Sequence, residues 1–313
     1  MKVRIAHRTV YRYRDPPRHL VQTLRLTPVD TPGQRVLDWH VTTGAELWRE
    51  VDAWGNVCHG HTLDHPGRVL VIYAGGEVET AAQPERVDHA GVEPALYLRP
   101  SQLATADPAI VALARAGLSV TSTREASRLA DAPHLLALAD LVGRAVVYRP
   151  GVTHAATTAA QALHGGAGVC QDQAHVYIAA CRSLGFAARY VSGYFVSDTV
   201  ANLGIAVGIT TDANPATPAG ADVRAHHADA ASAGASRDGG PGTSHASHAW
   251  AEVCVAPAER RWLAVDVTHG CLTDERHVRL AHGPDYGACL PVRGVRIGGD
   301  GETLDVDIRI SQI

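Results

Sequence analysis

The segment Gly165-Gly-Ala-Gly-Val-Cys170-Gln-Asp-Gln-Ala174-His-Val-Tyr177-Ile178-Ala-Ala-Cys181-Arg-Ser-Leu184-Gly185 decides how the chain is read. Ala174, Tyr177, Ile178, Cys181 and Leu184 recur at helical spacing, and Gly185 stands where a helix takes its left-handed C′ residue. The spacing predicts a helix whose first residue, after a glycine turn, is Cys170. At that position the helix dipole and the unpaired N–H groups of the first turn favour a thiolate, the form of cysteine that attacks carbonyl carbon. The same N–H groups, that of Cys170 included, can hold a developing oxyanion. Free cysteine is also among the most buried residue types, so the segment alone leaves an inert core thiol open. The choice depends on whether a base and an orienting group reach the sulfur.

Downstream, Ser247-His248-Ala249-Trp250-Ala251-Glu252-Val253-Cys254-Val255 alternates polar and apolar positions. Arg261-Trp262-Leu263-Ala264-Val265-Asp266-Val267-Thr268 follows after the short connection 256–260. The two runs read as a β-hairpin. Pairing 255 with 261 makes opposite positions sum to 516, which sets Asp266 across from Trp250 and makes it the diagonal neighbour of His248 on one face. An odd shift of register would separate the two onto opposite faces. A carboxylate beside an imidazole fixes its tautomer and stabilises the imidazolium formed when a thiol gives up its proton. Cys170, His248 and Asp266 thus form a chemically complete nucleophile, base and orienter.

Around this centre the chain changes character. Over residues 1–100, runs such as Thr9–Tyr13, Val36–Val41 and Arg68–Tyr73 alternate between turn signals, and 52–56 reads as a turn between two strands. That pattern predicts a β-sandwich-like domain without a catalytic constellation of its own. From about residue 103, Ala- and Leu-rich stretches at 108–115 and 134–144 carry helical periodicity, and strand-like runs follow at 188–196, 249–255 and 262–268. Helices before an antiparallel sheet is α+β order. The expected organisation is a β-rich domain over 1–100 and a catalytic domain over 101–313. The tract ANPATPAGADVRAHHADAASAGASRDGGPG and its flanks interrupt the latter. Its composition cannot bury enough apolar surface to offset ordering, so about 210–243 is expected to be a disordered insertion, in which His226-His227 does not make a metal site.

Composition bounds the partners. The 313 residues are 46% hydrophobic and 19% charged with a formal net charge of −4, so no basic field draws the protein onto nucleic acid. No apolar run is long enough to span a membrane, and the N-terminus lacks the apolar region of a secretory signal, so the expected location is cytoplasmic. The six cysteines are far apart and form no CxxC pair, which argues against disulfides and against a zinc site. Cys58-His59-Gly60-His61 with His65 has metal-like composition but irregular spacing. Neither a metal nor a cofactor is expected.

With these residues in place, GVCQDQAHVYIAACRSLGFAARYVSGY at 168–194, SHAWAEV at 247–253 and RWLAVDVTHG at 261–270 resemble the core of the bacterial transglutaminase-like superfamily. VYRYRDPP, LRLTPVDTPGQ and VDAWGNV resemble the β-rich domain that precedes the core in one bacterial branch, and DYGACLPVRGVRIGG resembles that branch's C-terminal segment. The resemblance implies a papain-like, transglutaminase-like α+β core with the nucleophile at Cys170, the base at His248 and the carboxylate at Asp266. It departs at Gln173, at Asp266-Val267-Thr268-His269 and at Gly283-Pro284-Asp285-Tyr286, which bears on substrate preference.

Secondary candidates are Asp172, as a dipole partner or support for the site, and Trp250, which shares the face of His248. Tyr148 joins them, since distant relatives suggest that its hydroxyl could serve an oxyanion hole. His175 reads as a core histidine, and Cys181 and Cys254 as buried thiols. The expected activity is cysteine-dependent acyl transfer on a peptide or amide through a thioester at Cys170, ending in hydrolysis. The alternatives are transfer to an amine and, in another class, a non-catalytic module whose N-terminal domain binds a protein partner.

Overall fold

The computed structural model describes residues 1–88, 91–118, 131–197, 223–228 and 247–313. The alternating runs of the N-terminal part become two antiparallel sheets. One has the order β17-β1-β6-β3, with β1 at Lys2–Asp15, β3 at Gln34–Thr42, β6 at Val69–Thr80 and β17 at Asp300–Gln312. The other has the order β11-β16-β2-β5-β4, with β2 at His19–Leu24, β4 at Trp48–Val51, β5 at Val57–Asp64, β11 at Val223–Ala228 and β16 at Val292–Ile297. Val3, Ile5, Tyr11 and Tyr13 of β1 point inward at alternate positions and meet Leu20, Leu24 and Val292 of the facing sheet. Strands from the far C-terminus therefore complete the sandwich begun by the N-terminus. Asp52–Asn56 is the expected turn, joining β4 to β5 with Gly55 at φ 88°. Of the tract 210–243, residues 223–228 form strand β11 against β16, and the rest, like the flanking residues from 198, lies outside the described residues.

The second unit opens with α1 at Pro108–Leu118 and α2 at Ala132–Ala145, followed by α3 at Ala159–Gly165 and α4 at Cys170–Ser183. Asp131 caps α2 by accepting the His134 N–H, and Thr158 with Gln161 forms a capping box on α3. Helix α4 is buried from Cys170 to Arg182, as expected of a helix enclosed on every side. It lies against a sheet of order β14-β13-β12-β10-β15, with β10 at Ala188–Phe195, β12 at Ser247–Ala256, β13 at Arg261–Asp266, β14 at Cys271–Leu272 and β15 at His277–Gly283. Strand β7, Glu85–Val87, pairs with β13 on the way from one unit to the other. The fold is the expected β-sandwich-like domain with a papain-like α+β core. Among the described residues no helix is long and apolar enough to cross a membrane.

Two amide side chains bind the sandwich to the free edge of the second unit's sheet. Gln34 donates to the Arg279 carbonyl at 3.0 Å and accepts the Arg279 N–H at 2.7 Å. Asn56 makes the same pair with His282, donating at 2.8 Å and accepting at 2.8 Å. Among the described residues, strand β15 has β10 on one side only, so without these amides its outward peptide groups would be buried unpaired. Tyr194, Val278 and Leu280 also belong to the sandwich core, which makes the two units continuous there.

Candidate active site

The hairpin has the expected register. Ala251 pairs with Val265, Glu252 with Ala264, Val253 with Leu263 and Cys254 with Trp262, each pair summing to 516, and a bulge follows between Cys254 and Ala256. The bulge lies away from the site, so the face is preserved. His248 and Asp266 come out as neighbours, with His248 Nε2 2.7 Å from Asp266 Oδ2. That contact leaves Nδ1 of His248 for the thiol. Cys170 lies at the first residue of α4, only 6% exposed, and lines one pocket together with His248.

Burial changes the expected state of the sulfur. Loss of solvent pushes the Cys170 thiol up to about 12, and the nearby Asp266 charge adds to this. Hydrogen bonds to the sulfur from the backbone N–H groups of Ala249 and Gln171 offset only part of it. Desolvation thus acts on the sulfur in the direction opposite to the helix terminus. Burial also lowers His248 below the ordinary histidine value, an effect that Asp266 counters.

Asp266 is the element prepared for that charge. It is fully buried, and its Oδ2 meets three imidazoles: His248 Nε2, His269 Nδ1 at 2.6 Å and His277 Nε2 at 3.0 Å. Its Oδ1 accepts the His269 backbone N–H at 3.2 Å. Burial alone would raise this carboxyl, but the histidines reverse the sign and hold it well below the usual carboxylate range. His277 is in turn fixed from behind by Asp274, 3.1 Å from its Nδ1, and Asp274 is paired with Arg276. Burial opposes protonation of His277, yet the two carboxylates raise it above the ordinary histidine value. His248, Asp266 and His277 also have the donor atoms and mutual spacing to ligate a divalent metal.

His269 and His277 were missed from the sequence. His269 carried a local signal, since it lies three residues after Asp266, within reach of its side chain. His277 did not, because β10 and β12 lie between β13 and β15. Gly193 on β10 pairs with His248 on one side and Arg279 on the other. A Cβ there would sit 2.2 Å from the Val278 carbonyl and 2.6 Å from the Trp250 ring. Its bare backbone lets the rings of β12 and β15 approach across the intervening strand.

The secondary candidates separate. Trp250 is buried beside His248 and packs edge-on against His277, with ring centroids 5.3 Å apart. Asp172 accepts the Val169 N–H at 2.8 Å and the Thr153 hydroxyl at 2.6 Å, which fixes the chain entering α4. Tyr148 is half-exposed on β8, Val147–Tyr148, which pairs with β9, Ala167–Gly168; burial and the charge of Cys170 both raise its hydroxyl pKa. His175 is a core residue that accepts the Tyr286 N–H at 3.1 Å. In the Cys58 cluster, His61 contacts Thr43 and Gln22, and His59 contacts Thr27.

Comparison with known proteins fits this geometry. The family described as "Transglutaminase-like superfamily" matches residues 120–267, and "Bacterial transglutaminase-like N-terminal region" matches residues 3–79. These two matches make residues 3–79 and 120–267 similar to the bacterial transglutaminase-like N-terminal region and the transglutaminase-like core. The chain is also similar to an uncharacterized protein of Mycobacterium tuberculosis, 27% identical over 99% of this chain and 92% of the relative, and to one of Mycobacterium leprae, 25% identical over 100% and 99%. A solved structure from Cytophaga hutchinsonii, described as that of a candidate cysteine protease, superposes with a TM-score of 0.64. It is 18% identical and covers 99% of this chain and 90% of its own, which supports the fold of both units together.

Proposed function

We propose that the protein is a cysteine-dependent hydrolase of peptide or amide bonds, with Cys170 as nucleophile, His248 as base and Asp266 as the group that stabilises the imidazolium. The observation that carries this is the 2.7 Å contact between His248 Nε2 and Asp266 Oδ2 in a site that His248 shares with Cys170. In the acylation step the Cys170 proton passes to Nδ1 of His248 as the sulfur bonds to the carbonyl carbon. The oxygen of that carbonyl becomes the oxyanion and meets N–H groups at the start of α4. Cleavage of the C–N bond returns the proton from Nδ1 to the departing amine and leaves a thioester on Cys170. Water then gives its proton to His248 and attacks the thioester, and Cys170 recovers its proton as the acid leaves.

The test is a screen of p-nitroanilide and peptide amides with wild type, Cys170→Ala and His248→Ala, read by release of amine and by intact mass. An acyl adduct on Cys170 that is lost in both variants is the expected result. Turnover that survives Cys170→Ala would overturn the assignment of the nucleophile. Added amine in the same assay distinguishes water from an amine as the final acceptor, since transfer gives a heavier product.

A further inference from the structure

The pocket that holds Cys170 and His248 is narrow, with a cavity volume of about 30 Å³. Its wall is shared between the units: His7 and Leu26 come from the sandwich, while Tyr194, Leu280, Tyr286 and Pro291 come from the second unit and the chain leading back to the sandwich. Among the described residues, no Asp, Glu, Lys or Arg side chain lines it. Among the described residues, His7 is the one titratable wall residue besides the tyrosines and the candidate catalytic pair. Its Nδ1 lies 2.8 Å from the Tyr194 hydroxyl and its Nε2 3.2 Å from the Thr9 hydroxyl. Burial lowers His7 to about 4, so it is neutral near pH 7. On β1 it occupies an inward position between Ile5 and Thr9, where the alternation calls for a core residue.

We propose that this pocket receives an uncharged, apolar substituent of the acyl group attacked by Cys170, and that the N-terminal sandwich sets this preference through His7 and Leu26. The proposal rests on the reading of Cys170 as nucleophile. An ionised substituent would lose its hydration in a wall that offers no counter-charge, whereas an apolar one would replace water against Leu26, Leu280 and Pro291. The sandwich is then part of the substrate site and more than a neighbouring module.

Methanethiosulfonate reagents test this, because each forms a disulfide with Cys170, releases methanesulfinate and leaves its substituent beside the sulfur. Rates at Cys170, mapped by mass spectrometry and divided by rates with free cysteine, are compared for methyl, benzyl, sulfonatoethyl and trimethylammonioethyl reagents. Neutral reagents should exceed both charged ones by at least about tenfold, and Leu26→Trp should lower the benzyl-to-methyl ratio by about tenfold or more. If Leu26→Trp does not fold, Leu26→Ala should raise that ratio severalfold. Charged reagents that keep pace with neutral ones, or a ratio unmoved by the Leu26 variant that folds, would overturn the proposal. Failure of the parent reading looks different: the methyl rate at Cys170 would be the same in wild type and His248→Ala, whatever the selectivity.

Discussion

Replacing Asp266 by Asn keeps the shape of the side chain and removes its charge, which isolates what the carboxylate contributes to the candidate triad. The carboxylate is fully buried and accepts from His248 at 2.7 Å. For unit charges centred about 4 Å apart, an effective dielectric of about 20 gives roughly 4 kcal/mol between the imidazolium and the carboxylate. An amide oxygen at the same place recovers about 1 kcal/mol as a neutral hydrogen bond, leaving a loss of about 3 kcal/mol. At about 1.4 kcal/mol per tenfold, the imidazolium–thiolate pair becomes roughly 10²-fold rarer. The assay is the second-order rate of Cys170 alkylation by iodoacetamide at pH 7.5, followed by intact mass, with near-UV circular dichroism confirming the fold. A slowing of about 10²-fold is expected, and His248→Ala should slow the reaction at least as much. A folded Asp266→Asn protein that alkylates within about threefold of wild type would refute the view that this carboxylate supports proton transfer from the thiol.

Other consequences concern the frame around the site. Glu252 is buried with Arg189 at 2.7 Å and Arg279 at 3.1 Å, so Glu252→Ala should destabilise by about 3–5 kcal/mol in urea unfolding, because Arg279 loses its carboxylate partner and Arg189 keeps only Asp88 at 2.8 Å. Gln34→Ala and Asn56→Ala each leave two peptide groups of β15 without partners and should each cost about 1–3 kcal/mol, measured by the same unfolding. His7 and His175 both have folded values lowered to about 4, chiefly by burial, so the unfolded chain binds more protons than the folded one between their folded values and about 6.5. Their stabilisation is complete above the unfolded value and is lost as pH falls through the folded one, at on the order of 3 kcal/mol each. A melting temperature falling steeply from pH 6.5 to 4, and less steeply in His7→Gln, is the expected result. Gly193→Ala should lower the melting temperature, because the added Cβ would meet the Val278 carbonyl and the Trp250 ring.

Much of the candidate site was legible because its signals are local. The stripe from Ala174 to Leu184 and Gly185 is contained in α4, and the pairing of β12 with β13 follows from a short connection and two alternating runs. What stayed hidden depends on sheet order. His277 reaches Asp266 only because β15 joins the sheet beside β10, at the other side of β12 from β13. The sharing of the sandwich between the first eighty residues and β16 and β17 was likewise hidden, since an alternating strand does not name its partner. The burial of the thiol was hidden for a related reason. A helix terminus is visible in sequence, but the depth at which the sulfur is buried depends on what the distant strands place over it.

These observations give the sandwich two roles that a sequence-adjacent domain need not have. Through Gln34 and Asn56 it supplies the missing hydrogen bonds of β15, the strand that presents His277 to Asp266. A shift of β15 would move His277 relative to a carboxylate only 3.0 Å away, and with it the field felt by His248. The amide clamps therefore couple the seating of the sandwich to the electrostatics of the proton acceptor. If so, Gln34→Ala should change more than stability: the Cys170 alkylation rate at pH 7.5 should fall under conditions where the variant remains folded. An unchanged rate in a folded Gln34→Ala protein would show that His277 holds its place without the clamp, leaving the sandwich's influence on the site to the pocket wall alone.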